Sequence, residues 1–149
     1  MELNFPTYNF TIKTENNANY IFDIIRKKYV VLTPEEWVRQ HMLWYLIHEK
    51  KYPASLISVE KGLEINGLKK RFDLLVYNRT GQPELLVECK SPDIKLAQDV
   101  FDQIAGYNRK FCVKKLLVTN GIHHLMCLFS DDFGNYEFVQ DIPKYTAIL

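Results

Sequence analysis

The sequence has little of what marks secreted, membrane-spanning or zinc-binding proteins. Only three of its 149 residues are cysteines, and Cys89, Cys112 and Cys127 stand in no CxxC spacing. This argues against a disulfide framework or a zinc site and fits a reducing cytosol. No apolar run approaches the roughly 18 residues that a membrane span needs, and no basic stretch followed by an apolar one opens the chain. We therefore expect a cytoplasmic protein without a membrane partner.

An excess of charge of one sign is also lacking, because the formal net charge is only +1. The molecule as a whole therefore gives no sign of polyanion binding, which would have to come from local basic clusters. The cluster Lys69-Lys70-Arg71 is one of several candidates. Each such cluster, taken alone, is more often a solvated surface than a phosphate-binding site.

Internal repeats, low-complexity tracts and linker-like shifts in composition are absent too, which predicts a single domain over residues 1–149. Near its start, apolar runs at 8–13 and 19–25 flank a polar turn. This pattern is typical of a hairpin, although the second run also fits a short helix. We assign residues 1–32 to an N-terminal hairpin extension and residues 33–139 to the core.

The core opens with a well-marked helix start. Thr33 suits the N-cap, Pro34 suits the first helical position, and Glu36 stands three residues after Thr33, where a capping box has its acid. Apolar residues then recur at helical spacing to about Glu49.

The remainder of the core reads as strands, turns and one further helix. Asn66-Gly67 is a strong hairpin signal, and Ser91-Pro92-Asp93 ends a strand. The predicted strands are 56–65, 72–77, 84–90, 115–119, 122–129 and 136–139, and the second helix runs from Ile94 or Lys95 to about Phe111. A helix between the third of these strands and a later one implies a parallel pair. The expected fold class is therefore α/β (α+β), with a mixed central sheet flanked by helices.

Acidic and basic side chains interrupt two of the apolar strands. Alternation sends Glu88 and Lys90 to the same face of one strand, and Asp73 lies inside the preceding one. If these strands pair, Asp73 comes beside Glu88, and two partly desolvated carboxylates need compensation. A divalent cation would supply it. The alternative is a structural ion pair at the open end of a sheet.

The second helix carries one polar residue on its apolar stripe. Leu96, Val100, Gln103 and Tyr107 fall at spacings of four, three and four residues, so they share a face. We expect Gln103 to point inward, where a glutamine needs hydrogen-bonding partners. A satisfied core glutamine explains this as well as a functional one does.

Taken in order, these segments resemble one family. They are Thr33-Pro34-Glu35-Glu36-Trp37-Val38-Arg39-Gln40, Arg71-Phe72-Asp73, Val87-Glu88-Cys89-Lys90, Gln103-Ile104-Ala105-Gly106-Tyr107 and Thr119-Asn120-Gly121. The chain is similar over roughly residues 33–129 to the nuclease-like N-terminal domain of type I restriction enzyme R subunits, in the PD-(D/E)XK superfamily. The resemblance implies a restriction-endonuclease-like core.

The resemblance also implies an active site. Asp73 and Glu88 would bind Mg²⁺ or Mn²⁺, with the backbone carbonyl of Cys89 as a further ligand, because hard oxygen donors favour these ions. Lys90 would orient or activate the attacking water. Glu36 would hold a metal-bound water, or else serve only in the capping box.

Supporting roles follow from the same resemblance. Gln103 and Tyr107 would support Lys90 or contact the nucleic-acid backbone. Independently of the resemblance, the basic run Lys69, Lys70 and Arg71 is a candidate for phosphate contacts because of its local charge. We therefore expect a Mg²⁺-dependent deoxyribonuclease in restriction or defence. Full-length family members carry an ATP-driven motor, so a separate motor or specificity protein is an expected partner beside DNA. The alternatives are a nucleic-acid-binding or protein-docking module without catalysis, and RNA as substrate.

Overall fold

The computed structural model describes residues 2–146, which form two sheets and two main helices. In chain order the elements are β1 (Ile12–Glu15), β2 (Ala18–Asp23), β3 (Lys28–Val31), α1 (Pro34–His48), a 3₁₀ turn (Ala54–Leu56), β4 (Ile57–Ile65), β5 (Leu68–Tyr77), β6 (Pro83–Cys89), α2 (Gln98–Phe111), β7 (Lys115–Thr119), β8 (His124–Phe129) and β9 (Tyr136–Val139). None of the described helices is long and apolar enough to cross a membrane.

The larger sheet has six strands in the order β4-β5-β6-β7-β8-β9. All its neighbours pair antiparallel except β6 and β7, which run parallel, with Leu86 opposite Leu116. Helix α2 connects this parallel pair, as such a connection requires. The predicted fold class, a mixed central sheet flanked by helices, is confirmed.

Each face of the large sheet is covered by one helix. On the α1 side, the core contains these buried residues: Val38, Met42, Leu43, Leu46, Leu74, Val76, Leu85, Val87 and Leu117. On the α2 side it contains these: Phe72, Leu75, Leu86, Phe101, Ile104, Ala105, Phe111, Leu116 and Val118. Each such large side chain contributes roughly 1.5–3 kcal/mol on burial. Strand β6 is thus buried on both faces, which explains its continuous apolar sequence.

The start of α1 is as predicted, except for one half of its capping box. Thr33 Oγ1 accepts a hydrogen bond from the N–H of Glu36 at 3.0 Å, and Pro34 is the first helical residue. The carboxylate of Glu36 does not return to the backbone of Thr33. It bonds instead to the side chains of Arg26, Arg39 and Gln40.

The hairpin turn at Asn66-Gly67 is confirmed. Both residues have positive φ, 50° and 82°, as the tightest two-residue hairpin turn requires. The ladder continues to the turn, where Ile65 pairs with Leu68. The tight turn brings Lys69, Lys70 and Arg71 into register with β4. Strand β5 therefore begins at Leu68, four residues before the predicted start.

The start of α2 and the N-terminal extension also differ from the prediction. Helix α2 begins at Gln98 instead of Ile94 or Lys95, because the side chain of Asn120 donates to the carbonyl of Ile94 and holds that segment outside the helix. The N-terminal extension is a three-stranded antiparallel sheet, since the predicted hairpin of β1 and β2 gains the strand β3. The four residues between Asp23 and Lys28 turn the chain back, with Lys27 at positive φ.

Candidate active site

Strands β5 and β6 separate at Asp73. Their last ladder pair toward this end is Leu74 with Val87, so Asp73 and Glu88 stand just beyond it. The ladder between β4 and β5 is also interrupted here, because Glu60, opposite Asp73 in register, has a positive φ of 54° and makes no ladder pair. This left-handed backbone is uncommon for a residue other than glycine. The sheet is thereby opened at one point.

A cavity of about 230 Å³ fills this opening. It is lined by Glu35, Glu60, Lys70, Arg71, Phe72, Asp73, Glu88, Cys89 and Lys90. The structure therefore brings Asp73, Glu88 and Lys90 to one cavity, together with the predicted backbone ligand Cys89. It also adds two acids that the sequence analysis did not select, Glu35 and Glu60.

Glu88 is the most buried acid of the cavity. It is 5% exposed, and its Oε1 atom is buried without a hydrogen-bond partner among residues 2–146. Burial, together with the negative charge of Asp73, raises the pKa of Glu88 to about 7. A buried carboxylate oxygen without a donor costs free energy, which a cation or a proton would relieve.

Asp73 has a partner for each carboxylate oxygen. Its Oδ2 accepts from the backbone N–H of Cys89 at 2.7 Å, and its Oδ1 accepts from Arg39 Nη1 at 2.9 Å. Burial raises the pKa of Asp73, and the Cys89 N–H and the charges of Arg39 and Lys90 partly offset this effect. Asp73 is thus fixed at the end of β6 from two directions.

Lys90 is positioned by the neighbouring strand. Its backbone N–H donates to the carbonyl of Thr119 at 2.8 Å, which extends the β6–β7 contact one residue beyond the strand. Its positive charge lowers the pKa values of Asp73 and Glu88 and also acts on Glu35. Within the described chain its amine forms no ion pair shorter than 4.0 Å.

These residues fit a small hard cation with few protein ligands. No group of three or more His, Cys, Asp or Glu side chains in residues 2–146 is placed to hold a metal ion by itself. Mg²⁺ is commonly held by one or two carboxylates and otherwise by waters and substrate oxygens, so a full cage is not required. The unpartnered Oε1 of Glu88, next to Asp73, is the structural feature that fits such an ion.

Glu36 is not among the residues that line the cavity. It is 4% exposed and faces a buried ionic cluster, which we define as Asp23, Arg26, Glu36, Arg39, Gln40 and Glu60. Its neighbour Glu35 lines the cavity instead, and partial burial and the charge of Asp73 raise the pKa of Glu35. The helical acid nearest to the candidate site is therefore one residue earlier than expected.

The ionic cluster connects the N-terminal sheet to the candidate site. Asp23 is fully buried and accepts from Arg26 Nε at 2.8 Å and from Gln40 Nε2 at 2.9 Å. Arg26 reaches Glu36, and Arg39 carries the chain of ion pairs to Asp73. Sequence reasoning missed Arg39, because residues 38–43 of α1 are all buried and no clear division into polar and apolar faces marks it as a buried charge.

Gln103 is exposed, so the prediction that it points inward is wrong. The buried residues of α2 are Phe101, Ile104, Ala105, Asn108 and Phe111. Successive residues of an α-helix point about 100° apart, so the side chain of Gln103 points away from the sheet when that of Ile104 points toward it. The face chosen from the sequence is the half-buried edge of the helix.

Tyr107 lies beside the basic run, two residues of which line the cavity. Lys70 Nζ is 5.3 Å from the ring centroid of Tyr107, and Lys70 and Arg71 both line the cavity. The same two residues, with Lys69, line a neighbouring groove of about 430 Å³ along β4 and β5, which we call the basic groove. The basic groove therefore shares Lys70 and Arg71 with the cavity that contains Asp73.

The segment after β7 holds the loop that follows Lys90. Asn120 is 4% exposed, donates to the carbonyl of Ile94 at 2.8 Å and accepts from the N–H groups of Ile122 and His123. Gly121 has a φ of +88° and packs against Leu3. This explains why a Thr-Asn-Gly segment stands here, far in sequence from the acids.

Comparison with known proteins gives a family and a fold. The sequence model of the type I restriction enzyme R protein N terminus matches residues 34–143, so the chain belongs to this family. A solved fragment of a protein assigned as the HsdR subunit of a type I restriction enzyme from Vibrio vulnificus YJ016 shares the fold, with a TM-score of 0.52 and 20% identity. The match covers 76% of this chain and only 24% of that one. No curated protein matches the sequence.

Proposed function

We propose that this chain is a metal-dependent nuclease domain of the PD-(D/E)XK superfamily that hydrolyses phosphodiester bonds of DNA in a restriction system. The observation that carries the proposal is the meeting of Asp73, Glu88 and Lys90 at one cavity, with a buried oxygen of Glu88 left without a donor. Membership of the restriction enzyme family supports the same class of reaction.

In this proposal Asp73 and Glu88 hold Mg²⁺ or Mn²⁺, together with the backbone carbonyl of Cys89. The bound ion would polarise the scissile phosphate and lower the pKa of its water. Lys90 orients that water and offsets the negative charge that develops on the phosphate. Lys70 and Arg71 bind the nucleic-acid backbone in the basic groove, where Tyr107 supports Lys70.

The partners belong to the proposal as well. DNA is the proposed substrate. The proposed protein partner is a motor or specificity subunit on a separate chain. We propose that the reaction takes place in the cytoplasm, where foreign DNA is encountered.

A second candidate is a nucleic-acid-binding or docking module that performs no chemistry. The observation in its favour is that both carboxylate oxygens of Asp73 already have partners, Arg39 and the Cys89 N–H. Such a module would bind nucleic acid equally well with and without a divalent ion. Titration of Mn²⁺ into the chain, with Glu88→Gln as the reference, separates the two functions.

The test of catalysis is plasmid cleavage with Mg²⁺ or Mn²⁺, run beside a matched RNA substrate. Asp73→Asn, Glu88→Gln and Lys90→Ala should each lower the cleavage rate at least about a hundredfold, as removal of metal or charge-stabilising groups does. Glu137→Gln and Lys28→Ala change the same charges at exposed positions of β9 and β3 and should leave the rate unchanged. Cleavage that survives in Asp73→Asn and Glu88→Gln would remove the proposed site.

A further inference from the structure

A buried arginine of the ionic cluster, Arg39, also contacts one of the candidate metal ligands, Asp73. Arg39 is 7% exposed. Its Nε and Nη2 donate to the two carboxylate oxygens of Glu36, at 3.0 and 2.6 Å. Its Nη1 donates to Asp73 Oδ1 at 2.9 Å and lies 3.2 Å from Glu60 Oε1. Every nitrogen of the guanidinium is therefore bound to a carboxylate, and one of these carboxylates belongs to a candidate metal ligand.

We propose that Arg39 is an internal counter-cation of Asp73, which competes with a divalent ion for the negative charge of that carboxylate. The inference rests on the proposed function, because it takes Asp73 and Glu88 as the metal ligands. It adds that the cavity holds a positive charge of its own, fixed by the fold, and that this charge sets how tightly the metal binds.

The physical reason lies in the burial of the acids. Glu36 and Asp73, with exposed fractions of 5% and 13% for their side chains, would be strongly destabilised without a nearby cation. Arg39 compensates both in the metal-free protein. A dication entering beside Asp73 meets the guanidinium at hydrogen-bonding distance from the same carboxylate, and like charges at this separation repel strongly where solvent is excluded. Arg39 therefore stabilises the metal-free fold and weakens metal binding.

Arg26 offers a matched control for this inference. It is also a partly buried arginine, and it forms ion pairs with Asp23, Glu36 and Glu60, two of which are partners of Arg39 as well. Within the described residues it forms no ion pair with Asp73. Replacement of either arginine by glutamine removes one positive charge from the same cluster, but only Arg39→Gln releases the carboxylate of Asp73.

The experiment is calorimetric titration of Mn²⁺ into the EDTA-treated full chain. Arg39→Gln should raise the Mn²⁺ affinity at least tenfold, about 1.4 kcal/mol, whereas Arg26→Gln should change it less than threefold. The gain should vanish in Arg39→Gln/Glu88→Gln. An affinity in Arg39→Gln no higher than in the wild type, or an equal gain in Arg26→Gln, overturns the inference.

A gentler substitution keeps the test decisive if Arg39→Gln fails to fold. Arg39→Lys retains the charge, but a lysine lacks the planar fork that reaches Glu36 and Asp73 together. The contact with Asp73 is then released in part, so we expect at least a threefold gain in Mn²⁺ affinity. No gain, or a loss, overturns the inference. Failure of the proposed function has a different signature: then neither the wild type nor any variant binds Mn²⁺, and both proposals fall together.

Discussion

The backbone N–H of Cys89 donates to Oδ2 of Asp73 at 2.7 Å, across the point where β5 and β6 cease to pair. A side-chain carboxylate thus takes the place that a backbone carbonyl would occupy in a continued ladder. Because Cys89 lies between Glu88 and Lys90, this bond fixes Asp73 relative to both of them. The candidate site is therefore assembled where β6 leaves β5, and its geometry depends on the two strands separating at this residue.

The raised pKa of Glu88 predicts a specific dependence of stability on pH. In the metal-free protein this pKa is about 7, above the ordinary value of 4.5, so the folded state holds the proton more tightly than the unfolded state. The contribution is present in full below pH 4.5 and is lost as the pH rises to about 7. Urea unfolding in EDTA should show a loss of roughly 2–3 kcal/mol over this interval.

Glu88→Gln should abolish most of this loss, because glutamine has no proton to release. The variant should therefore be more stable than the wild type at pH 8 and not at pH 4.5. Equal slopes in the two proteins would show that Glu88 ionises normally and is not confined as the structure places it.

The same group predicts that metal binding and proton release are coupled. A divalent ion bound by Glu88 needs the ionised carboxylate, so its affinity should increase as the pH rises toward about 7 and level off above it. Titration of Mn²⁺ at pH 6 in buffers of different ionisation enthalpy should report close to one proton released per ion. The number should fall toward zero at pH 8.5. A proton count that does not vary with pH would contradict Glu88 as a ligand.

Substitution of Gly121 tests the packing that holds the loop after Lys90. A Cβ atom there would lie 2.8 Å from Leu3 Cδ2 and 3.0 Å from Val38 Cγ2, in addition to the strain of a φ of +88°. Gly81 has nearly the same φ, +83°, but a Cβ there meets nothing within 4 Å. Gly81→Ala isolates the backbone strain of about 1 kcal/mol, and Gly121→Ala should cost on the order of 1–3 kcal/mol more.

Thermal or urea unfolding of the two variants measures this difference directly. Equal losses of unfolding free energy in the two variants would mean that Leu3 and Val38 move aside for the added methyl group at no cost. The N-terminal segment would then have no part in fixing the loop.

Short-range patterns predicted the strands that carry the site. Alternation in β6 placed Glu88 and Lys90 on one face, and the Asn66-Gly67 turn gave the hairpin of β4 and β5. The strand containing Asp73 was recognised because one acid interrupts an apolar run. These features could be predicted because they depend on residues close together in sequence, where the period of the strand is enough.

The interactions of the site with α1 and the N-terminal sheet could not be predicted in this way. The pair of Arg39 with Asp73 joins residues 34 positions apart, and the pair of Arg26 with Glu60 does the same. Which of Glu35 and Glu36 faces the cavity depends on the rotation of α1 upon the sheet. Gln103 was misplaced for a similar reason, because the edge of an amphipathic helix is nearly as apolar as its buried centre.

Substitution of Asp23 tests whether the ionic cluster stabilises the fold. It is fully buried, and against the effect of burial the hydrogen bonds from Arg26 and Gln40 hold the pKa of Asp23 below its usual value. Asp23→Asn should cost on the order of 2–4 kcal/mol at pH 7, because Arg26 loses a buried partner. The loss should shrink as the pH falls through the folded-state pKa of Asp23, where the wild-type acid is itself neutralised.

Asp131→Asn is the control for Asp23, since Asp131 is exposed and pairs with exposed Lys114. Such a surface pair is worth at most about 1 kcal/mol. Urea unfolding at pH 7 should therefore separate the two variants clearly. Equal losses would deny the ionic cluster a role in stability.

The basic groove predicts how nucleic-acid affinity depends on salt. Lys70 and Arg71 line both the groove and the cavity, so each should neutralise a phosphate of a strand that passes Asp73. Lys70→Ala and Arg71→Ala should each weaken binding and reduce the slope of log affinity against log salt by about 1. Lys28→Ala, on exposed β3, should change neither quantity. Fluorescence anisotropy with a labelled DNA duplex in EDTA measures both without cleavage. An equal reduction of the slope by Lys28→Ala would mean that only the overall charge of the protein matters. The DNA strand would then not follow the basic groove to Asp73 and Glu88.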